Sequence, residues 1–347
     1  MQIGIDCTPL TSPHAPGLVR VVERTVAALE ARGVIEVVRL APPAGVRPRT
    51  WRRSGPAQAV REHDLVGVHS FTSAFAWRGP GRRVQTIHEL PWRHGVTENA
   101  GLAHKFWASI GPRLADAVVT ATNVVAHELG VKPASEGGKL HVIPWGVDER
   151  FAPDPEGDTI DEVLLGTYRL PEHPLVLCPG AVRAKKNLGA VLRGLARHKE
   201  RGGPRLHLVV TGPDTSDLRR DLGEAQKLGL GGWLSTPGLI QDADLPGLLR
   251  LATVVPVLSH SEGFGLPALE AHACGTPTLV PTGSAQAEVA GDGAFLCDPS
   301  DADSVADGLA AAVLAREDLR YTLPERARTF TWERTAEAIE QLWSTLA

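Results

Sequence analysis

The sequence predicts an α/β protein with two open parallel sheets, each covered by helices on both faces. Short apolar runs rich in β-branched residues recur along the chain, and a longer amphipathic or Ala/Leu-rich stretch follows each of them. This alternation is typical of parallel strands joined by crossover helices. It occurs twice, on either side of a proline-containing acidic stretch at residues 151–158. We therefore expect two doubly wound, Rossmann-like domains joined by a linker.

The first half of the chain carries the first set of candidate strands and helices. Apolar residues from Leu18 to Leu29 recur with the 3.6-residue period of an amphipathic helix, and Gly33 is placed to end it. The predicted strands are residues 3–6, 35–40, 65–69, 84–88, 118–121 and 140–143.

The second half repeats the pattern. Its predicted strands are residues 175–178, 206–211, 254–258, 278–280 and 294–296, with helices beginning near Asn187, Thr215, Asp244, Pro267 and Ala302. We expect a first domain over residues 1–165, a second over 166–330, and a C-terminal helix within 331–347 that can pack back on the first domain. Ligands of such sheets bind at the carboxyl ends of the strands, so the chemistry is expected in a cleft between the two domains.

Composition and charge exclude several classes of protein. The chain has 347 residues, a net charge of -4 and a pI near 6.4, which argues against nucleic-acid binding. Residues 1–150 are nevertheless basic, with 18 Lys and Arg against 13 Asp and Glu. The sequence shows no run of 18 apolar residues, no export signal and no metal-binding spacing among its four cysteines. We therefore expect a cytoplasmic protein without a bound metal.

One segment combines glycines, a helix start and two acids. Residues 262–267 follow the predicted strand at 254–258. Glycines let the backbone approach a ligand closely, and a helix start offers amides and a positive dipole end to a phosphate. Glu262 and Glu270, with seven residues between them, supply carboxylates that can accept hydrogen bonds from the paired hydroxyls of a sugar. Taken alone, the pattern is equally consistent with a structural turn and helix start.

The motifs together resemble a known family. The spacing of Glu262 and Glu270 closely resembles the Glu-x7-Glu motif of retaining glycosyltransferases of family 4, also called group 1, which have the GT-B fold. Other stretches agree in the same order along the chain, at residues 86–90, 142–148, 185–188 and 288–292. The resemblance covers nearly the whole chain. It implies two Rossmann-like domains that face each other across a cleft, and transfer of a sugar from a nucleotide donor.

The resemblance assigns roles to both acids and to the loop between them. It implies that Glu270 holds the nucleotide ribose and that Glu262 contacts hydroxyls of the donor sugar. It further implies that the nucleobase is held by backbone near Gly238 and Leu239. The amides near the sugar and the diphosphate would come from Gly263, Phe264, Gly265 and Leu266.

Cations are expected beside the diphosphate because negative charge grows on the departing phosphate oxygens as the glycosidic bond breaks. The resemblance assigns this role to Lys186, which precedes a helix that Asn187 can cap. Lys185 and Arg183 are candidates for additional charge. Without the family resemblance, a basic turn of this kind would be interpreted as a solvent-exposed part of the surface.

Two residues of the first domain complete the predicted site. His88 ends the predicted strand at 84–88, and the resemblance implies that it contacts the donor sugar or its phosphate. Gly17 resembles the family's glycine loop, whose amides meet the phosphate. The predicted catalytic residues are therefore His88, Lys186 and Glu262.

The sequence departs from the family pattern at several positions. Val19 stands where a second glycine is usual, Glu89 where Asp commonly follows the histidine, and Trp145 where Asn is common. Ala181 follows Gly180 where part of the family has a phosphate-binding Arg. Phosphate binding is therefore expected to depend on the lysine and on backbone amides.

The resemblance implies a retaining transfer of a hexose-type sugar from a UDP-, GDP- or dTDP-linked donor to a hydroxyl acceptor, which would be a glycan, a glycolipid or a small molecule. No cofactor is expected beyond this co-substrate, because the lysine and the helix dipole supply the charge that a metal would otherwise provide. A nucleotide-sugar 2-epimerase of GT-B architecture and a catalytically silent sugar-nucleotide-binding protein are the alternatives.

The acceptor site is left unassigned at this level. A Pro-rich basic loop would suit a phosphorylated or lipid-linked acceptor at the inner face of the membrane, with a solvated loop as the alternative. Two tryptophans and a histidine elsewhere in the first domain could stack on or bind a sugar acceptor. The alternative is that the tryptophan side chains are buried in the protein. The loop residues are Arg47, Arg49, Trp51, Arg52 and Arg53, and the other three are Trp77, Trp92 and His94.

Overall fold

The computed structural model describes residues 1–11, 16–98, 100–153 and 159–347, and the backbone alone for residues 159–162. The described chain divides into two compact units, Met1–Gly146 with Phe330–Ala347, and Val147–Thr329. The N-terminal segment of the first unit therefore ends at Gly146, whereas the sequence placed the domain boundary at residue 165. Of the predicted linker, residues 154–158 lie outside the described part of the chain.

The first unit is built on a parallel sheet. Its strands are β1 Gln2–Asp6, β2 Glu36–Leu40, β3 Gly67–Ser70, β4 Arg82–Thr86, β5 Ala117–Thr120 and β6 Leu140–Val142. Its helices up to Gly146 are α1 Pro16–Arg32, α2 Pro48–Trp51, α3 Gly55–Glu62, α4 Leu102–Leu114 and α5 Asn123–Leu129. Within the described ranges the six strands lie in the order β2-β1-β3-β4-β5-β6.

The second unit has a sheet of the same kind. Its strands are β7 Leu175–Cys178, β8 His207–Thr211, β9 Leu234–Gly238, β10 Ala252–Pro256, β11 Thr278–Pro281 and β12 Ala294–Cys297. Its helices are α6 Thr159–Tyr168, α7 Leu188–Glu200, α8 Ser216–Lys227, α9 Leu245–Leu251, α10 Leu266–Ala273, α11 Ala285–Ala290, α12 Ala302–Leu319 and α13 Leu323–Ala327. The described strands are parallel and lie in the order β12-β11-β10-β7-β8-β9.

The last helix, α14 Trp332–Leu346, belongs to the first unit and packs against α1. Its apolar stripe is buried, with Ala336, Ile339 and Trp343 fully inaccessible to solvent. The Thr335 hydroxyl donates to the Pro144 carbonyl at 2.8 Å, which fixes the helix beside the chain that follows β6.

The central strands of the second unit are buried on both faces, and this burial explains why their positions could be predicted from the sequence. Residues of the central strands pack with α7 and α12 in one apolar cluster that includes Val176, Leu208, Val254, Leu195 and Val305. Parallel strands covered on both faces are continuous apolar runs, which the sequence shows directly. β9 was not predicted because Pro237 interrupts its run; it is an edge strand, where a proline is tolerated.

Both sheets confirm the predicted α/β fold and identify where a ligand should bind. Each sheet has a switch point, where successive strands are added on opposite sides. It lies between the neighbouring strands β7 and β10 in the second sheet, and between β1 and β3 in the first. Loops that leave the carboxyl ends of strands on either side of such a switch point diverge and leave a crevice. The loops after β7 and β10 carry most of the residues that the sequence singled out.

Candidate functional site

A pocket lies where the loops after β7 and β10 meet. The two strands are adjacent and parallel, so their following loops lie side by side. The pocket also reaches the first turn of α10, through Pro267. Its lining includes Cys178, Gly180, Ala181, Lys186, Ser259 and Pro267.

Lys186, in the wall of this pocket, forms an ion pair with Glu262. The Lys186 Nζ donates to the Glu262 Oε1 at 2.9 Å, and the Ser259 hydroxyl donates to the same oxygen at 3.1 Å. The two charged side chains are 27% and 15% exposed, so a ligand can still reach them.

The environment of Glu262 keeps its carboxylate ionised. Burial by itself would raise its pKa, but the charges of Lys186 and Lys185, together with hydrogen bonds from Lys186 and Ser259, lower the pKa to about 2. At neutral pH the group therefore accepts hydrogen bonds and does not donate one. Lys185 itself is 6% exposed, so its charge acts from within the protein.

Hydrogen bonds hold the lysine loop against the loop after β10. Asn187 has a φ of 55°, in the left-handed region, and its Nδ2 donates to the Leu258 carbonyl at 3.2 Å. The His260 amide donates to the Lys185 carbonyl at 2.9 Å. Asn187 precedes α7 as expected, but its side chain makes no capping hydrogen bond to the helix. Asn187 thus occupies the N-cap position as predicted, but its side-chain amide joins the lysine loop to the loop after β10 and does not cap the helix.

The turn into α10 requires glycine at one position. Gly265 has a φ of 95°, and a Cβ there would lie 2.9 Å from the Cγ of Gln286. Gly263 and Phe264 are buried, and α10 begins at Leu266. The backbone of this predicted donor-binding loop is thus packed against the protein on one side, with the helix start directed to the pocket that Pro267 lines.

Glu270 is the fifth residue of α10 and is 5% exposed. Its negative charge contributes to the electrostatic surroundings of Arg150, which places the two groups near each other. Its role as the ribose ligand stays a prediction.

The ends of β7 and β8 approach each other closely. The Gly180 amide donates to the Thr211 hydroxyl at 3.0 Å, and a Cβ on Gly212 would lie 2.8 Å from the Gly180 carbonyl. Ala181 follows in the pocket wall, and Arg183 is half-buried just before the short 3-10 helix that contains both lysines. Gly180, in the wall of the pocket, therefore lies directly against Gly212 at the end of β8.

Gly238 ends β9 with a φ of 83°, and Leu239 is 75% exposed. Their proposed contact with the nucleobase stays a prediction. The segment that follows them is held by two residues that sequence reasoning missed, Arg150 and Tyr168.

Arg150 and Tyr168 each make two hydrogen bonds to this segment. Arg150 donates to the carbonyl of Asp242 at 2.7 Å and to its Oδ1 at 3.0 Å. The Tyr168 hydroxyl donates to Asp244 at 2.6 Å and accepts from the Gln241 amide at 3.2 Å. Burial would lower the pKa of Arg150, but the hydrogen bond to Asp242 and nearby carboxylate charges raise it. Nothing local in the sequence marks these long-range partners.

The chain also contains two Asp-x-Asp triplets, at residues 242–244 and 301–303, a spacing that can hold a diphosphate-bound cation. Both are occupied by contacts within the protein. In the first, Asp242 pairs with Arg150 and Asp244 with Tyr168. In the second, Asp301 caps α12 and Asp303 pairs with Arg197 and Arg201.

His88 lies in the first unit, two residues beyond the end of β4, so the expectation that it ends the strand is corrected. The ladder continues just past the strand, because the Ile87 amide donates to the Val119 carbonyl at 2.9 Å. The His88 Nε2 donates to the Phe71 carbonyl at 2.8 Å. Burial lowers the pKa of His88 to about 4, against the opposing effect of this hydrogen bond. The imidazole is therefore neutral at neutral pH.

Gly17 is the second residue of α1 rather than part of a loop before the helix. No described atom lies within 4 Å of the position that a Cβ would take. The residue is exposed, and contact of its amide with a phosphate stays a prediction.

Two side chains of the basic loop of the first unit contact the rest of the protein. Arg52 donates to the Asp6 carboxylate at 3.0 Å, and Trp51 packs against a small apolar cluster that includes Leu65. The exposed members of the loop are Arg47, Arg49 and Arg53. Arg52 and Trp51 thus contact the protein while the other three arginines face solvent, and a membrane contact through this loop stays a prediction.

The three acceptor candidates make contacts within the first unit or face solvent. Trp92 meets His104 edge to face, with ring centroids 5.0 Å apart. His94 lies 2.7 Å from a carboxylate oxygen of Glu128. Trp77 is 49% exposed. A role in acceptor binding stays a prediction for each.

Two absences hold for the part of the chain that the structure describes. Over residues 1–11, 16–98, 100–153 and 159–347, no three His, Cys, Asp or Glu side chains come together in a way that could hold a metal ion. In the same ranges no helix is both long and apolar enough to cross a bilayer.

Comparison with known proteins places these features in a family. The family model described as "Glycosyl transferases group 1" matches residues 168–330. A D-inositol 3-phosphate glycosyltransferase of Kribbella flavida is 32% identical over 315 residues, which cover 81% of this chain and 72% of the relative. Alignments with relatives of the same description span from 55% to 75% of the relative's own length.

Solved structures share the fold. The chain is similar to sucrose-phosphate synthase from Thermosynechococcus elongatus, with a TM-score of 0.79, 20% identity, and coverage of 100% of this chain and 99% of the other. It is also similar to Anabaena HepE solved in complex with UDP-glucose, with a TM-score of 0.71, 16% identity, and coverage of 100% and 99%. At these identities the likeness concerns the architecture.

Proposed function

Because the chain belongs to the group 1 glycosyl transferases and has their GT-B fold, we propose that it moves a hexose-type sugar from a nucleoside diphosphate sugar to a hydroxyl acceptor with retention of configuration. The observation that carries the proposal is the pair of Lys186 and Glu262 at one pocket beside the start of α10. An ammonium group and a helix start bind phosphate, and an ionised carboxylate binds sugar hydroxyls.

The proposed reaction needs no nucleophile from the protein. The acceptor oxygen forms a bond to C1 of the sugar while the bond from C1 to the diphosphate oxygen breaks. The electron pair of the broken bond stays on that oxygen, and the proton of the acceptor hydroxyl moves to the leaving phosphate. Attack and departure occur on the same face of the sugar, so the configuration at C1 is retained.

Lys186 is assigned the stabilisation of the leaving diphosphate. Negative charge on the phosphate oxygen increases as the bond to C1 breaks, and a fixed cation lowers the energy of that state. The ammonium group has three donors, so it can bind a phosphate oxygen and Glu262 together. Lys185 and Arg183 add positive charge near the same loop.

The acids are assigned to the hydroxyls of the donor. Glu262, with a pKa of about 2, is ionised across the physiological range and so serves as an acceptor rather than as a proton donor. Glu270 is assigned to the ribose, as the family resemblance implies. Because the His88 ring is neutral, we assign it to a sugar hydroxyl rather than to the phosphate, which a cation would bind better.

We propose a UDP-, GDP- or dTDP-linked hexose as donor and a hydroxyl of a phosphorylated polyol as acceptor. The similar HepE structure was solved with UDP-glucose, which supports a nucleotide sugar. The relatives described as D-inositol 3-phosphate glycosyltransferases support an acceptor of this class.

We further propose that the reaction proceeds without a metal ion, because Lys186 and the helix start provide positive charge at the diphosphate. Undiminished turnover in EDTA is the expected result, and loss of turnover that Mg²⁺ restores would contradict it.

The first experiment identifies the donor by its effect on stability. UDP-, GDP-, ADP- and dTDP-sugars are added separately, and the donor that binds the native state raises the melting temperature most. That donor is then incubated with D-inositol 3-phosphate, with myo-inositol and without acceptor. Nuclear magnetic resonance of the product anomeric proton should show the anomeric configuration of the donor. An inverted product would refute retention, and a C2 epimer formed without acceptor would identify an epimerase instead.

A further inference from the structure

Aromatic rings surround the His88 imidazole in the first unit. We call His69, Phe71 and Trp145 the aromatic cluster; each is at most 2% exposed. The ring centroids of His88 and Trp145 are 5.7 Å apart, and those of Phe71 and Trp145 are 6.1 Å apart. His69 stacks on Phe71 at 4.4 Å. The cluster therefore forms a dry wall against which the His88 ring rests.

The hydrogen bond to Phe71 determines the tautomer of His88. A backbone carbonyl can only accept, so the Nε2 that lies 2.8 Å from it must carry the proton. In the neutral ring the Nδ1 then has a lone pair and acts as an acceptor.

The backbone around Trp145 is held by α14. The Pro144 carbonyl accepts the hydroxyl of Thr335 at 2.8 Å. A Cβ on Gly146 would lie 2.3 Å from the Trp332 amide nitrogen, so the chain passes directly against the start of this helix. The indole between Pro144 and Gly146 is thus attached to a fixed backbone.

We propose that Trp145 is a positioning residue that holds the His88 ring with its Nε2–H on the Phe71 carbonyl and its Nδ1 open to a hydroxyl of the donor sugar. The use of Nδ1 by a sugar rests on the proposed function, whereas the orientation of the ring does not. The family commonly has Asn at this position, so the resemblance assigns the indole no role.

The surroundings of the ring disfavour its protonation. Burial lowers the pKa of His88 to about 4 and that of His69 to about 3. His104 on α4 and His69 on β3 both face His88 closely enough for a charge on one imidazole to disfavour a charge on another. Replacing the indole by a small polar side chain should admit water, which weakens the desolvation and returns the pKa toward its ordinary value of 6.5. A protonated Nδ1 cannot accept a hydrogen bond.

The first test observes the ring directly, without a donor. Long-range ¹H–¹⁵N spectra are recorded on the full chain labelled at histidine nitrogen, with His88→Gln used to assign the His88 signals. The wild type and Trp145→Phe should show the Nε2–H tautomer alone and no titration above about pH 5. Trp145→Asn should show mixed tautomers and a pKa higher by about 1–2 units. Trp233→Phe, in the second unit, should leave the His88 signals unchanged.

If circular dichroism shows that Trp145→Asn does not fold, Trp145→Leu replaces it. Leu removes the ring and keeps an apolar side chain, so the tautomer mixture is then the readout. A single Nε2–H tautomer in the folded variant that lacks the ring would overturn the proposal, because the indole would not be needed to orient His88.

The second test follows kcat/KM between pH 5.5 and 8 with the donor chosen by the melting screen. The wild type and Trp145→Phe should show no acid limb. In Trp145→Asn, a His88 pKa raised to about 5–6 leaves between roughly three quarters and one quarter of the rings neutral at pH 5.5, so kcat/KM should fall by up to about fourfold from its value at pH 7.5. A flat profile in this variant would overturn the role of Nδ1. If the wild type transfers no sugar from any donor, the proposed function fails, while the spectra still decide the orientation of His88.

Discussion

The pocket of the second unit holds paired charges, whereas the described neighbours of His88 in the first unit include aromatic rings and other imidazoles. Glu262 is buried beside two lysines, and their charges offset the cost of its burial. His88 is buried beside aromatic rings and other imidazoles, so the same physical cost is avoided by leaving the ring uncharged. The comparison shows that burial alone does not decide the charge of a polar side chain; the charge of its neighbours does.

The largest expected effect comes from removing the Lys186 cation from the pocket of the second unit. Lys186→Ala is expected to lower kcat/KM for transfer by roughly 10²–10³-fold, because the leaving phosphate loses a fixed positive partner. Lys227→Ala, at the exposed end of α8, is the matched control and should leave kcat/KM unchanged. Steady-state kinetics with the donor from the melting screen measure both. Equal values for the two variants would remove Lys186 from the mechanism.

Acid unfolding should separate the two regions by pH. The folded pKa of His88 is lowered from 6.5 to about 4, so the unfolded chain takes up a proton first and stability is lost as the pH falls from about 6.5 to 4. The folded pKa of Glu262 is lowered from 4.5 to about 2, so its contribution is present above about 4.5 and is lost as the pH falls to 2. Each contribution amounts to at most about 3 kcal/mol.

Urea unfolding of the wild type, His88→Gln and Glu262→Gln between pH 7 and 2.5 measures these contributions. His88→Gln should flatten the loss of stability above pH 4, and Glu262→Gln should flatten it below pH 4.5. If either variant keeps the full pH dependence of the wild type in its own window, the assigned surroundings of that residue are wrong.

Two glycines offer a smaller contrast between the regions. Gly265→Ala should destabilise the chain by about 1–3 kcal/mol, because a φ of 95° and the nearby Gln286 disfavour a side chain. Gly17→Ala should change stability by less than about 1 kcal/mol, because no described atom crowds that position. Thermal unfolding measures both. A strong loss of donor affinity in a stable Gly17→Ala would show that the helix start of α1 does approach the ligand.

The smallest expected effect concerns the segment after β9. Arg150→Gln removes the hydrogen bonds to Asp242 and should raise the Kd for the nucleoside diphosphate of the chosen donor by about 3–10-fold. Pyrophosphate, which lacks a base, should bind as it does to the wild type. Arg193→Gln, which breaks a pair with Glu224 on the exposed side of α7, is the control. Isothermal titration calorimetry distinguishes the cases, and an equal loss for both ligands would place Arg150 at the phosphates instead.

Much of the architecture was accessible from the sequence because its signals are local. The predicted strand at 175–178 matches β7, and the predicted C-terminal helix within 331–347 matches α14. Pro267 and Gly275 bracket α10, as their backbone preferences indicate. β9 was not predicted, because its proline is tolerated only at the edge of a sheet. Whether a strand lies at the edge depends on the order of the strands in the sheet and not on the sequence of the strand itself.

The candidate residues could be proposed from the sequence, but their interactions could not. The family pattern identified Lys186, Glu262 and His88, yet the fixing of the lysine loop by Asn187 and of the β9 segment by Arg150 and Tyr168 has no sequence signal. Asn187 was predicted as a helix cap, since that is its commonest role at such a position. Its actual hydrogen bond joins two loops that are distant in the sequence.

The sequence by itself determined most of the succession of strands and helices along the chain, the family resemblance, and which side chains are capable of the chemistry. Apolar periodicity, glycine and proline preferences and motif spacing are properties of neighbouring residues. Tertiary structure decided the state of those side chains. Lys186 and Glu262 lie 76 positions apart, and His88 acquires its tautomer from Phe71 and its dry surface from Trp145. Ionisation depends on solvent exclusion and on charges within a few ångströms, and those distances exist only after the chain has folded.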